Sequence, residues 1–456
     1  MLSACALGLV GGVNAAESAD GEVSSVLAIR PKPAADDELP EVQVVARKLL
    51  DSPWNENKAL DDALGKDLLP PLGASAYTMG QDAVAALPQG DNTPLDKVLL
   101  QAPGVSYDSA ISNPDFHVRN EYSNVQYRIN GIQLPDGVSA LGPVLETGFI
   151  GNLNLLDGAL PAQYGLRTAG VVDITTKTEF HDGGTADLYG GTWATVSPSV
   201  SYGGYSGSTQ YFVTGRYLSS DQGLENAMPS ANPIHDHTEQ EKFFGYGSSL
   251  IGDVGRLTYM GGGFVGHFQI PDVVGQQPLG DFGPSELPST RLDENETDRF
   301  YFGVVALQTH RDASDTQFSL YSRYATVDFV PDVYDDLAFN DVASHVVRKS
   351  FLNGMQFDAA LKLGAQHTLR AGVDANVDDS EVQNVSTVLP LDAEGNPLPT
   401  PIVVNDYRAK VGWEAGAYVQ DEWRLRSDLT LNAGLRFDQM NQFVSANQFS
   451  PRIALI

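Results

Sequence analysis

Near the end of the chain hydrophobic and polar residues alternate with a period of two. Trp413, Ala415, Ala417, Val419, Trp423 and Leu425 occupy odd positions, interrupted by Asp421, while Glu414, Gly416, Tyr418, Gln420, Glu422, Arg424 and Arg426 lie between them. Successive side chains of an extended strand point to opposite faces, so this segment has one greasy and one wet face. The next segment repeats the pattern, with Leu429, Leu431, Ala433, Leu435 and Phe437 against Thr430, Asn432, Gly434, Arg436 and Asp438. Keeping both apolar rows on one face predicts a three-residue turn at Arg426-Ser427-Asp428, with Leu425 opposite Leu429. Phe357, Ala359, Leu361 and Leu363 pair in the same way with Leu369, Ala371, Val373, Ala375 and Val377. Roughly twelve such strands of about ten residues follow Phe180, with tight turns at one end and long polar loops at the other, as in an antiparallel transmembrane β-barrel. The long loops, at 221–241, 271–296 and 330–344, are expected outside and functional. A soluble β-sandwich also alternates, so period alone leaves both architectures open.

Upstream, residues 73–180 read as an α+β domain. Thr93-Pro94-Leu95-Asp96 offers a capping hydroxyl, a proline at the first helical position and an acid at the third, which opens a helix. Leu95, Val98 and Leu99 share its apolar face, and Ala102-Pro103-Gly104 ends it. Short strands follow at 125–129 and 132–134, joined by Asn130-Gly131, a pair suited to a turn that needs positive φ at both positions. Residues 171–175 read as a buried strand. Residues 17–72 are rich in Ala, Pro, Asp and Glu and predict an exposed arm. Within it Glu41, Val42, Gln43, Val44, Val45 and Ala46 form a strand-like island that could add to the edge of another protein's sheet or serve as an edge strand of the next domain. Residues 1–16 are small and apolar and end in Ala15-Ala16, which predicts a secretory signal; its basic opening is missing, so that signal is incomplete.

No apolar run reaches about 18 to 20 residues, so a membrane form must be a closed barrel rather than a helical bundle. The chain carries 58 acidic and 28 basic side chains, for a formal charge of -30. That charge repels phosphate backbones and argues against nucleic acid as a partner. It fits a solvated surface, or an acidic rim that meets divalent cations or a cationic ligand. The sole cysteine, Cys5, lies in the leader, which removes disulfide and thiol chemistry from the mature chain. No catalytic constellation converges, and no resident metal or cofactor is expected. His235-Asp236-His237 lacks a second ligand pair. Gly261–Gly266, GGGFVG, lies in β-rich sequence without the helix a dinucleotide site needs. Asp293-Glu294-Asn295-Glu296 reads as a solvated loop before it reads as a weak calcium site.

Together these segments resemble the TonB-dependent outer-membrane receptor family over most of residues 40–456. EVQVVA (41–46) resembles a TonB box. LDKVLLQAPGV (95–105), YRINGIQL (127–134) and the stretch 156–177 ending in GVVDITTK resemble the family's plug motifs in their order. YVQDEWRLRSDLTLNAGLRFD (418–438) followed by SPRIALI (450–456) resembles its mid-barrel signature. Two departures stand out: Asp157-Gly158 replaces the usual Arg-Gly, and Val118-Arg119-Asn120 replaces another Arg-Gly pair. The resemblance suggests Asp421 or Glu422 facing Arg119 or Arg167 as the ion pair between plug and barrel.

The resemblance implies a 22-stranded barrel of which residues 181–456 supply roughly half. Twelve strands would close at a backbone radius of about 12 Å. A plug of roughly 130 residues, about 35 Å across, does not fit inside that radius. The expected form of this chain is therefore an open, curved sheet with two unpaired edges. By family analogy the protein lies in the outer membrane of a Gram-negative bacterium, surrounded by lipid. It imports a small extracellular ligand (siderophore-like, cobalamin, saccharide or peptide) using energy from TonB, which pairs with Glu41–Ala46. The plug apices, Tyr107 to Asp115 and Leu134 to Pro143, nominate Tyr107, Asp108, Asn113 and Asp136 for ligand contact. A passive adhesin or pore, or a surface enzyme, are the competing readings.

Overall fold

The computed structural model describes Leu68 and residues 75–90, 93–107, 116–119, 121–122, 125–134, 145, 147–165, 169–177, 182–224, 234–252, 255–280 and 282–456. The island at 41–46 and Asp108, Asn113, Asp136 and Arg167 lie outside them.

An N-terminal α/β unit comes first. It comprises β1 (Ser75–Gly80), α1 (Gln81–Ala85), α2 (Leu95–Leu99), β2 (Val105–Tyr107), β3 (Phe116–Val118), β4 (Glu121–Tyr122), β5 (Val125–Ile129), β6 (Ile132–Gln133), β7 (Ile150–Asp157) and β8 (Gly170–Thr176). Five strands form one sheet in the order β1-β7-β8-β5-β6, with β5 and β8 parallel, and β2-β3-β4 form a second. The hairpin between β5 and β6 has φ of 50° at Asn130 and 76° at Gly131, the left-handed pair that the Asn-Gly dipeptide favours. β8 is almost wholly buried, and Leu95, Val98 and Leu99 of α2 face the core. The start of α2 differs from expectation. Pro94 takes the N-cap position at φ -58° and ψ 149° without a side-chain cap bond, so the helix opens one residue later. The Thr93 hydroxyl is buried without a hydrogen-bond partner among the described residues.

The rest is one antiparallel meander of twelve strands: β9 (Gly183–Gly190), β10 (Val196–Ser206), β11 (Thr209–Ser220), β12 (Thr238–Ile251), β13 (Gly255–Gln269), β14 (Asn295–Arg311), β15 (Ser314–Val330), β16 (Val342–Leu363), β17 (His367–Val388), β18 (Ile402–Arg426), β19 (Leu429–Asn441) and β20 (Ser445–Leu455). Each strand pairs with its sequence neighbours, and β9 and β20 are the edges of an open sheet. Tight turns at 207–208, 312–313, 364–366 and 427–428 lie at one end, where β12 also passes to β13; the connections 221–237, 270–294, 331–341 and 389–401 lie at the other. The third contains α3 (Val333–Asn340), capped where Asp332 accepts from the Asp335 N–H.

The register keeps the predicted rows together: Trp423 faces Leu431, Val419 faces Leu435, Phe357 faces Val373 and Leu361 faces Leu369. The turn itself differs. Arg426 pairs with Leu429 across a two-residue turn, and the extra residue, Leu425, is taken up as a β-bulge. A bulge absorbs one residue without reversing either face, so the parity survives. The strands are also longer than expected, reaching 22 residues in β16 and β17 and 25 in β18. Spanning needs only about 9 to 11. The excess in β18, at 402–410, is exposed at every residue.

The two faces have inverted polarity. Exposed side chains include Val213, Phe243, Tyr259, Val305, Leu320, Phe351, Val373, Val377, Val419 and Trp423, whereas Gln210, Arg256, Gln308, Gln317, Gln356, Arg370, Gln420 and Arg436 are buried. A water-soluble sheet would do the reverse, because uncovered apolar area costs free energy in water. The greasy face therefore belongs against hydrocarbon. No helix among the described residues is long and apolar enough to cross a membrane.

The N-terminal unit packs on the other face. Phe149 stacks on Phe244 of β12 with ring centroids 3.8 Å apart. One apolar cluster runs from Leu99, Ile129 and Leu153 of the unit to Phe264, Phe300 and Phe302 of the sheet. Strands β12 to β15 supply most of this cluster, joined by Phe212 of β11 and Leu352 of β16, while Gln356 of β16, Gln420 of β18 and Arg436 of β19 meet the unit with polar groups.

Candidate functional site

Between β7 and β8 the chain leaves the sheet, and its main-chain groups at 158–165 need partners from elsewhere. The twelve-stranded sheet supplies several. Gln420 Oε1 accepts from the Ala162 N–H at 2.7 Å. Arg452 Nη1 donates to the carbonyls of Leu160 and Pro161, both at 2.9 Å. Arg436 Nη1 donates to the Gln163 carbonyl at 3.4 Å. At the β5–β6 turn Gln356 accepts from the Gln133 N–H at 2.9 Å and donates to the Gly131 carbonyl at 3.2 Å. Two glycines allow the approach: a Cβ on Gly165 would lie 1.9 Å from Arg436 Nε, and one on Gly434 2.8 Å from the Ala162 Cβ.

The close ion pairs among the described residues beside the seam form within each body, while Arg128 of the unit attracts Asp358 and Lys242 of β12 attracts Asp96 across it. Arg436 is held by Asp374 at 2.8 Å and Asp438 at 2.7 Å. Arg370 meets Glu422 at 2.7 Å, and His367 meets Asp421 at 2.8 Å. Inside the unit Arg119 grips Asp157 through two contacts of 2.8 and 2.9 Å. The expected pairing of Asp421 or Glu422 with Arg119 is therefore corrected: each has a partner in its own body. Asp157, standing where the family usually has arginine, takes its counter-charge from Arg119 beside it. Arg128 of β5 lies over the Tyr164 ring at 4.8 Å and donates to Gln126, Gly131 and Gln163. Burial pushes the neighbouring Asp173 carboxyl up to about 6, partly offset by Arg128.

The long connections form a second cluster. His235 turns to Asp272 at 3.0 Å and His237 to Asp221 at 3.0 Å. Asp236 accepts from the N–H groups of Gly223 and Leu224, and burial raises it to about 6. The three side chains of the His-Asp-His run thus turn to separate partners, His235 also meeting the Leu292 carbonyl. No three His, Cys, Asp or Glu side chains among the described residues gather in an arrangement fit for a metal ion. GGGFVG lies inside β13, where Gly245, Gly261 and Gly303 meet across three strands. The acidic run at 293–296 differs from a freely solvated loop: the Glu294 carboxyl is half-buried against Asp336 of α3.

Of the residues nominated for ligand contact, Tyr107 ends β2 opposite Phe116, at the base of the hairpin leading to 108–115. Gln356, Gln420 and Arg452 were not nominated from sequence. The available signal was the wet row of each strand, whose members are buried against the unit.

The family model described as "TonB dependent receptor-like, beta-barrel" matches residues 229–456. The chain belongs to the TonB-dependent receptor family. Members of this family are receptors of the Gram-negative outer membrane, which agrees with the hydrocarbon-facing rows of the sheet. Solved structures share the fold at low identity. The outer membrane transporter YddB from Escherichia coli is 13% identical with a TM-score of 0.58, over 84% of this chain and 60% of its own. The pyoverdine outer membrane receptor FpvA from Pseudomonas aeruginosa PAO1 is 14% identical with a TM-score of 0.62, over 83% and 59%. The siderophore receptor PiuA from Acinetobacter baumannii is 13% identical with a TM-score of 0.56, over 87% and 64%. The chain thus spans about six-tenths of the length of these structures. Comparison of the sequence with curated proteins gives no match.

Proposed function

We propose that this TonB-dependent receptor imports a small extracellular ligand by energised release of its N-terminal unit. In this reading residues 73–180 are the plug, residues 181–456 contribute the first twelve strands of a 22-stranded barrel, and residues 17–72 are the periplasmic arm. One observation carries the reading: beyond the apolar contact at β12 to β15, the unit is held to a polar inner face by side chains gripping its main chain at 131–133 and 160–163. Such bonds are individually worth about 0.5 to 1.5 kcal/mol between neutral groups and about 1.5 to 3 kcal/mol where an arginine donates, and each can be exchanged for a bond to water. A pulled plug can therefore detach there without stripping a continuous greasy interface.

Ligand binds above the plug, at Tyr107, Asp108, Asn113 and Asp136, beneath the long connections. Glu41–Ala46 adds as a strand to TonB, whose pull loosens the seam. FpvA and PiuA are named for pyoverdine and for siderophores, so a ferric siderophore is the first ligand class to test, ahead of cobalamin, saccharide and peptide. The chemistry is binding and displacement, with no covalent step.

Deletion of Glu41–Ala46 from the full-length receptor is expected to reduce uptake of a radiolabelled ferric siderophore that supports growth to background, with binding to isolated outer membranes changed less than twofold. Unchanged uptake would reject energised import and favour a passive pore or adhesin.

A further inference from the structure

The hydrocarbon face of β11 to β16 carries a depression of about 1040 Å³. Its floor is the main chain of Gly245, Gly261 and Gly303, which lie directly opposite one another on β12, β13 and β14. Toward the long connections it is walled by Phe243 and Tyr301, whose ring centroids are 6.4 Å apart and which flank Gly263. Val305 and Leu320 line its other end. A Cβ on Gly303 would meet no atom within 4 Å, so no neighbouring side chain closes the floor. Asn353, exposed on the same row, brings an amide to hydrocarbon depth, where a polar group without a partner is costly.

Two residues outward of Tyr301, on the same face, stands Arg299, with Thr326 opposite it and Lys349 opposite Thr326. This row lies just outside Tyr301, Tyr324 and Phe351, which are opposite one another in the same way. Aromatic rows of that kind mark the edge of the hydrocarbon. Between Arg299 and Thr309 the lipid-facing residues of β14 are Tyr301, Gly303, Val305 and Leu307. Ten residues of a strand tilted by about 40° rise about 26 Å, which matches an apolar band of about 25 Å. Arg299 therefore stands at headgroup level on a strand that floors the depression. It makes no ion pair among the described residues, whereas Lys349 has Glu381 opposite it on its other side. With a formal charge of -30 the chain is acidic, so this cation is no part of a generally basic surface.

We propose that Arg299 and the depression together hold one phosphate-bearing lipid of the leaflet at the long-connection end. The phosphate pairs with the Arg299 guanidinium, with Lys349 beside it, because a guanidinium fork matches phosphate oxygens and a cation at this level attracts anionic headgroups. One acyl chain runs into the depression, where the bare glycine backbone lets it approach closely and gain dispersion contacts that a flat wall of side chains would not give. The ester carbonyl that heads the chain is an acceptor for the Asn353 amide. Phosphate, ester and chain thus meet cation, amide and groove in that order from the rim inward. The site rests on the bilayer facing of the sheet and not on the import reading.

Native mass spectrometry of the full-length receptor, released from vesicles of dioleoylphosphatidylcholine with a minor share of dioleoylphosphatidate, tests the proposal. The wild type is expected to retain one phosphatidate in preference to phosphatidylcholine. Arg299→Gln should lower that preference about fivefold, the effect of one cation at a lipid headgroup, and Arg299→Lys should keep most of it. Gly303→Leu, whose side chain enters open space, should lower phosphatidate retention although Arg299 is intact. Equal preference in the wild type and Arg299→Gln would overturn the proposal, as would full retention in Gly303→Leu. Displacement of the phosphatidate by inorganic phosphate would also overturn it, since the chain would then add nothing. So would retention of a second receptor copy in place of lipid, lost in Gly303→Leu. Failure of the lipid site leaves the arm-deletion result untouched, and the reverse also holds.

Discussion

Arg436→Met is expected to destabilise the receptor by about 3–5 kcal/mol, the usual cost of removing one partner from a buried ionic group. The guanidinium is 2% exposed and is shared by Asp374 and Asp438. Methionine fills much of the volume but leaves both carboxylates without their cation and removes one of the two donors to the Gln163 carbonyl, Arg128 being the other. Gly165→Ala should act through the same atoms. The new Cβ would overlap Arg436, whose two ion pairs keep it from moving aside. The two substitutions are therefore expected to be strongly non-additive when combined. Urea unfolding of the full-length protein refolded in detergent measures both. A loss below about 1 kcal/mol for Arg436→Met would mean that the carboxylates are solvated, and the seam wet, in the native protein.

Val419→Arg should cost about 2–4 kcal/mol, because a charge placed on the lipid face near the midplane must leave water or deform the bilayer. Val419 is 46% exposed and faces Ala371 and Leu435 across its neighbours. Val403→Arg provides the internal contrast. Val403 is still more exposed, at 61%, yet it lies in the extension 402–410, well beyond the tight-turn end of β18. Arginine there is expected to cost about 0–1 kcal/mol. Unfolding from lipid vesicles should separate the two variants; equal effects would remove the bilayer boundary from this account.

The strand content and facing of the large sheet were legible because alternation along a strand is a local property. Trp413 to Leu425 and Leu429 to Phe437 show it directly, and their pairing followed from keeping the greasy rows together. The Asn130-Gly131 hairpin was legible for the same reason, since a positive φ at both residues is a local demand. The bulge at Leu425 was not, because a three-residue turn and a two-residue turn with a bulge preserve the same row parity. Nor was the length of β16 to β18. The extensions are set by pairing with each other, and the connection 389–401 emerged only once those pairs were known. Thr93 carried a capping signature, but the extended backbone of Pro94 displaced the helix start. The partners of Glu422, Asp421 and Arg119 lay beyond reach because they depend on which body each side chain faces. The grip of Gln356, Gln420 and Arg452 on 131–133 and 160–162 joins residues more than 200 positions apart in sequence.

Single cysteines placed at each position from 411 to 424 of β18 in the full-length receptor, labelled with a small fluorophore in vesicles of brominated lipid, report which face of the strand meets hydrocarbon. Within the bilayer, quenching is expected at odd positions, strongest near Val419, with little at the even positions buried against the N-terminal unit. Uniform accessibility to an aqueous quencher, with no period of two, would contradict that facing.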